Sequence, residues 1–346
     1  MEIETSVSDT ILQNRRYRLK SRPDGRINRR NFDLVREPIP EPADGQALVR
    51  IIYLSLDPTN RVWMSERDQY MPPVAIGDVM RGIALGIIVR SRSPMFTEGI
   101  FVTGLLGWQD YCLVGKNATP AAHVAAHPDV PLSASLGICG ITGQTAYFGL
   151  LDIGNPQKGE TVMVSAAAGG VGSAVGQIAS IKGCNVVGIA GGAEKCAYLV
   201  NELGFDAAID YRAADFREQL AKATPNGVDV NFENVGGEIM EAVMSRMNVG
   251  SRMVLCGLIS GYNDDGPMRA DFSPILMRRI SVRGFLISDY RARFDEATRQ
   301  LAQWTRDGLL RSVETIVDGL EDAPDALNRL FDGRNYGKLL VRVSPD

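Results

Sequence analysis

The chain has 346 residues, 45% of them hydrophobic and 23% charged, with a formal net charge of −4. That length exceeds one comfortable hydrophobic core and predicts two domains, while the mildly acidic balance argues against nucleic acid or an anionic membrane as partner. Five scattered cysteines without close pairs argue against a disulfide framework, and a polar, charged N-terminal stretch with no long apolar run points to a reducing, cytoplasmic setting.

In chain order, residues 1–10 read as a disordered lead. Short strands are predicted at 16–20 and 32–36, and a stronger one at 46–55 after the Pro- and Asp-rich turn 37–45. The pattern continues through 79–92 and 99–114, punctuated by Gly, Pro and Asp as a small β-barrel domain requires. From 134 to 151 it becomes helical. Thr161 then opens an apolar run that ends in Ala167-Ala168-Gly169-Gly170-Val171-Gly172, followed by Val171, Val175, Ile178 and Ile181 at helical spacing. This is a strand, a tight small-residue turn and a helix, the arrangement that brings backbone and a helix N-terminus to a pyrophosphate. Strands at 185–190, 207–209, 228–232 and 252–255 alternate with helices at 194–203, 213–223 and 238–247. Such alternation implies a parallel, doubly wound α/β sheet, a Rossmann arrangement. Met240, Met244 and Met247 read as a helical core stripe. The apolar segment 280–287 reads as an edge strand, a place for two copies to join as a homodimer. The last apolar strand, 337–343, returns most simply to the β domain. The resulting domains are 1–133 with 310–346, and 134–309 inserted between them.

The second strand of a dinucleotide site that selects NADH ends in an acid. Here it ends in Gly191-Gly192-Ala193, with Lys195 close behind and Tyr211 just past the third strand. A missing carboxylate, a lysine and a phenol suit the 2′-phosphate of NADPH. His123 and His127, the only two histidines, lie in a stretch without a nearby set of zinc ligands, so no metal is expected.

Seven motifs in order then carry a family resemblance: NRRYRLKSRPDG at Asn14, YLSLDPTNR at Tyr53, SAAAGGVGSAVGQIA at Ser165, GIAGGAEK at Gly188, FENVGG at Phe232, CGLISGYN at Cys256 and RNYGKLLVRV at Arg334. Over nearly its whole length the chain resembles the medium-chain dehydrogenase/reductase superfamily. Within it, the resemblance is to the zinc-free leukotriene B4 12-hydroxydehydrogenase/prostaglandin reductase group and its bacterial curcumin/dihydrocurcumin reductase type. The resemblance implies a Rossmann NADPH domain inserted in a GroES-like β-barrel catalytic domain. It implies that Gly169, Val171 and Gly172 line the pyrophosphate turn, that Lys195 and Tyr211 hold the 2′-phosphate, that Asn234 sits beside the adenosine and ribose, and that Asn335 reaches the phosphates from across the cleft. The chain departs from the family at Thr59 and Asn60, where an aromatic and a methionine often follow Asp-Pro, and this bears on the mouth of the substrate pocket.

The activity implied is reduction of an enone or enal C=C bond by hydride delivery to the β-carbon, with enolate charge on the carbonyl oxygen. Tyr262 is the candidate donor to that oxygen; its other reading is packing against the cofactor. Tyr53 is either a second pocket tyrosine or a strand aromatic of the β-domain core. Arg61 either orients a polar substrate or pairs with Asp57 to fix the turn. Asp110, Cys139 and Cys256 read as structural, and the polar stretch 264–273 as a lid. Two other functions stand beside this one: a quinone oxidoreductase on a similar fold, and a non-catalytic NADPH-binding sensor.

Overall fold

The computed structural model describes residues 13–124, 130–264 and 266–345, so the lead at 1–10, His127 and Asp265 of the lid stretch lie outside the described residues. β1 (Gln13–Leu19) and β2 (Phe32–Pro38) form an antiparallel ribbon. β3 (Gln46–Leu56) is the hub of a larger sheet, paired with β4 (Ala84–Ser91) on one side and, over Gln46–Arg50, with β6 (Tyr111–Gly115) on the other, with β5 (Phe101–Gly104) and β7 (Ala121–Val124) continuing beyond β4. The predicted strands at 79–92 and 99–114 are therefore shorter, and the second is two strands. The reason is local: Gly107 at φ 80° turns the chain between them, under Trp108, which stacks on Phe32 at 5.5 Å. The short helix α1 (Thr59–Trp63) leaves β3 through the Asp57-Pro58 turn.

The second half is built on a six-stranded parallel sheet. After α2 (Ile141–Phe148) come β8 (Thr161–Val164), α3 (Gly170–Ile181), β9 (Asn185–Ala190), α4 (Ala193–Leu203), β10 (Ala207–Asp210), α5 (Phe216–Ala223), β11 (Val228–Glu233), α6 (Gly237–Met244), β12 (Met247–Leu255), α7 (Ser273–Arg278) and β13 (Ser281–Gly284). The spatial order β10-β9-β8-β11-β12-β13 reverses direction between β8 and β11, which sets a crevice at their carboxyl ends. The strand residues of β8 are all buried because helices cover both faces. The methionine stripe is corrected in one respect. Met240 and Met244 lie on α6, but Met247 already begins β12, and all three join one buried cluster with Met163 and Met253.

α8 (Phe294–Arg306) packs against α2, and the chain then re-enters the first sheet. β14 (Glu314–Asp318), α9 (Ala323–Asp332) and β15 (Lys338–Arg342) follow, with β15 lying between β14 and β3. A separate tie joins the two halves: Gly337 N–H donates to the Ala168 carbonyl at 2.8 Å, a bridge between the C-terminal strand and the glycine turn. Gly337 stands at φ 59°, and a Cβ there would overlap the Val313 carbonyl.

Candidate active site

The turn after β8 gains its tightness from an unexpected residue. Ala166, not a glycine, takes the left-handed conformation at φ 49°. Gly169 caps α3 without a side-chain bond, so the first amides of the helix are left for a ligand. Gly172 is needed for packing: a Cβ would overlap the Ala166 carbonyl and lie 2.8 Å from the Ala167 Cα. Gly169 faces open space apart from the Ala166 oxygen at 3.1 Å, and Val171 is half-buried on the first turn.

The next loop is a cationic cradle. Asp210 Oδ1 accepts from the N–H of Gly192 and of Arg212, both at 2.9 Å, and so fixes the loop after β9 against the end of β10. A Cβ on Gly191 would sit 2.9 Å from the Tyr211 ring and 3.0 Å from Arg212 Nε, whereas Gly192 faces open space at φ 98°. The Lys195 ammonium donates to the Asn335 carbonyl at 2.6 Å and lies 5.1 Å from the centre of the Tyr336 ring. Burial, and then the charge of Arg212, pull the Lys195 ammonium below the usual lysine range. Two cations and a phenol around glycines fit a phosphate dianion, which would relieve the repulsion between them. Arg212 and Tyr336 escaped the sequence reading. Tyr336 was visible only as the third letter of R-N-Y-G, and Arg212 only as the residue after Tyr211.

The third loop follows β11. Asn234 donates from its backbone to Ser165 Oγ (2.7 Å) and from Nδ2 to the Ser165 carbonyl (2.8 Å), which joins it to the glycine turn. Ser165 Oγ in turn donates to the buried Glu233 at 2.7 Å. Neither Ser165 nor Glu233 was singled out from the sequence; they are 68 positions apart and meet because β8 and β11 are neighbours. Asn335 is buried beside the cradle, with Nδ2 donating to the Gly337 carbonyl at 2.8 Å.

Tyr262 follows a short 3-10 turn at Ile259–Gly261. Its hydroxyl accepts from the Leu258 N–H at 3.2 Å, which leaves its own proton to donate. Burial pushes this phenol up from its ordinary range, so it stays neutral. Arg67 reaches across from beyond α1 to the Gly261 carbonyl at 2.9 Å, so the Tyr262 loop borders the first half of the molecule. Trp63 and Thr59 both bond Tyr70 on that side.

Tyr53 is 5% exposed and belongs to a buried cluster with Ile52, Leu85, Leu136 and Leu340, the surroundings of a core aromatic. Arg61 departs from the expected pairing with Asp57: it donates to the Pro23 and Gly25 carbonyls at 3.1 and 3.2 Å. Asp57 is ion-paired with buried Lys338 instead, because β15 runs directly beside the end of β3. Asp110 is structural, gripped by Arg15 through two guanidinium bonds. Desolvation, then the charge of Glu233, pushes the Cys256 thiol up to about 12, so it is no nucleophile. Part of the stretch 264–273 lies on α6, with Met268 Sδ 3.4 Å from Gly237 N.

Fold and site together define a dinucleotide-dependent oxidoreductase. Residues 15–121 match the family described as N-terminal domain of oxidoreductase, and residues 170–303 the family described as zinc-binding dehydrogenase. Among the described residues, no group of three or more His, Cys, Asp and Glu side chains is placed to hold a metal ion. The chain belongs to the medium-chain dehydrogenase/reductase family. It is 46% identical to the NADPH-dependent curcumin reductase of Escherichia coli K12 over 96% of this chain and 98% of that one. It is 38% identical to prostaglandin reductase 1 of Mus musculus, over 96% and 100% of the two chains. Among solved structures it matches CurA of Vibrio vulnificus in complex with NADPH at a TM-score of 0.90 and 44% identity, covering 96% and 100%.

Proposed function

We propose that this protein is an NADPH-dependent reductase of the C=C bond of α,β-unsaturated ketones and aldehydes. The observation that carries the reading is Tyr262: a neutral, largely desolvated phenol at the border of the two halves, with its oxygen already accepting one bond and its proton free. The chemistry the cofactor supplies when bound is a hydride for the β-carbon of the substrate, which leaves an enolate and a cationic nicotinamide ring. Tyr262 donates to the enolate oxygen as charge gathers there. Lys195, Tyr211 and Arg212 hold the 2′-phosphate, the N-terminus of α3 at Gly169, Val171 and Gly172 meets the pyrophosphate, and Asn234 and Asn335 flank the cofactor. Tyr53 keeps a packing role. Residues 1–133 with 310–346 serve as the catalytic domain and 134–309 as the nucleotide domain. The reading extends to a cytoplasmic protein, supported by five free cysteines. It includes a homodimer joined through β13, supported by that strand's exposure.

The test follows NADPH oxidation at 340 nm with 3-nonen-2-one, trans-2-nonenal, curcumin and a quinone, for the wild type and for Tyr262→Phe. The expected result is enone turnover to the saturated ketone, with kcat down roughly 100-fold in the variant and NADPH affinity unchanged. Turnover of the quinone alone, or full activity in the variant, would displace this reading.

A further inference from the structure

The loops that would meet the cofactor converge on a buried carboxylate that no step above uses. Glu233, the last residue of β11, has no exposed surface. Its Oε1 accepts from Ser165 Oγ at 2.7 Å, the Val235 N–H at 2.7 Å and the Gly236 N–H at 2.9 Å. Oε2 accepts from Asn231 Nδ2 at 3.1 Å. All four bonds run into the carboxyl group, the pattern of an ionised acceptor. Among the described residues no lysine or arginine forms an ion pair with it. A buried charge without a counter-ion is costly even when its lone pairs are satisfied.

Hydrogen bonding alone does not call for that charge. A glutamine would offer Oε1 to the same three donors. Its Nε2 would donate to Asn231 Oδ1 once that amide turned over; Nδ2 would then take the buried place where Oδ1 now stands without a partner, so one atom of that amide lacks a bond with either residue. The neutral isostere thus keeps most of the hydrogen bonds and removes the cost of a buried charge. The site, by contrast, has a use for a negative charge. The Glu233 backbone carbonyl accepts from Cys256 N–H (2.9 Å) and Gly257 N–H (3.1 Å), and a Cβ on Gly257 would lie 3.5 Å from the Tyr262 hydroxyl. Glu233 therefore ends β11 at the carboxyl end of the sheet, where its strand order reverses, and its backbone holds the Cys256–Gly257 turn that leads to the proposed donor.

We propose that Glu233 is kept for its charge, which favours the oxidised, cationic form of the bound cofactor over the reduced one. The proposal rests on the NADPH reading above. Hydride transfer moves two electrons and a hydrogen to the β-carbon and leaves one positive charge on the nicotinamide ring; the enolate then takes a proton from solvent. A fixed negative charge pulls that balance toward products. At an effective dielectric of about 20, one unit charge within about 10 Å of another shifts an equilibrium by about tenfold or more.

The experiment measures dissociation constants for NADPH by fluorescence and for NADP+ by competition, together with Tm of the cofactor-free protein. It compares the wild type, Glu233→Gln and Glu233→Asp. In the glutamine variant Tm is expected to hold or rise, and the ratio of the NADP+ to the NADPH constant to increase about tenfold. The aspartate variant keeps the charge and should keep the ratio within about twofold of wild type, whatever its absolute affinities. A ratio that does not move in the glutamine variant reduces Glu233 to a loop anchor and overturns the proposal. A glutamine variant that loses Tm or fails to fold overturns it too, because the fold would then need the charge. A ratio that shifts equally in both variants has the same meaning. A wild type that binds neither nucleotide would instead remove the NADPH reading itself.

Discussion

At Lys195 three influences meet on one ammonium: the Asn335 carbonyl, the Tyr336 ring and the like charge of Arg212. Its proton is held less firmly in the folded protein than in the unfolded chain, whose lysine titrates near 10.5. The sign of the linkage follows. The charged lysine subtracts from stability below its folded pKa, and that loss is relieved as pH rises from there toward 10.5. A bound 2′-phosphate reverses the shift, so NADPH binding at alkaline pH is expected to take up protons while NADH binding takes up none. Calorimetry in buffers of different ionisation enthalpy reads this directly. Lys195→Ala is expected to raise KM for NADPH roughly 10- to 100-fold and to leave NADH kinetics unchanged, as loss of a charge-assisted bond requires. Lys195 was legible in the sequence because its role depends on a strand end and a missing acid a few positions away. Glu233 and Ser165 were not, since sheet register brings them together. Asp57 misled for the converse reason: Arg61 is near in sequence, but the partner is Lys338, 281 positions on.

The elements themselves were largely readable, because βαβ units repeat local patterns of burial and glycine. Their ends were less so. β12 begins at Met247, where helical spacing suggested that α6 still ran, and 280–287 shrinks to a strand at Ser281–Gly284 that gives way to a 3-10 segment at Ile287–Arg293. The turn between β8 and α3 shows what spacing cannot reveal: its glycines serve close approach, and the positive φ falls on Ala166. Gly337 combines both demands, a left-handed backbone and contact with Val313. Gly337→Ala is expected to destabilise the protein by roughly 2–5 kcal/mol, from the backbone strain and the overlap together. It should also weaken NADPH binding, by breaking the bridge to Ala168. Thermal unfolding and a fluorescence titration measure the two effects, and a variant with wild-type Tm and affinity would show that the bridge holds nothing.

For the whole molecule, β13 is an exposed sheet edge, with Val282 and Leu286 38% exposed and Leu276 and Met277 beside them 74% and 68% exposed. An unprotected edge flanked by apolar side chains favours pairing with a second copy. Light scattering at micromolar concentration is expected to give twice the chain mass, and Val282→Lys with Leu276→Asp to give single chains that still bind NADPH. A monomeric wild type would end the dimer reading.

The seating of β15 between β14 and β3 has a consequence in time. Leu56 and Leu339 are hydrogen-bonded neighbours, yet a ribosome makes nearly the whole intervening chain before the second of them exists. The parallel sheet is contiguous in sequence and can assemble during synthesis, while the first sheet must wait with the Tyr53–Leu56 end of β3 unpaired on one edge. Contacts of such long sequence separation form slowly and leave strands open to misassociation. The half of the molecule that is translated first is therefore the half that finishes last.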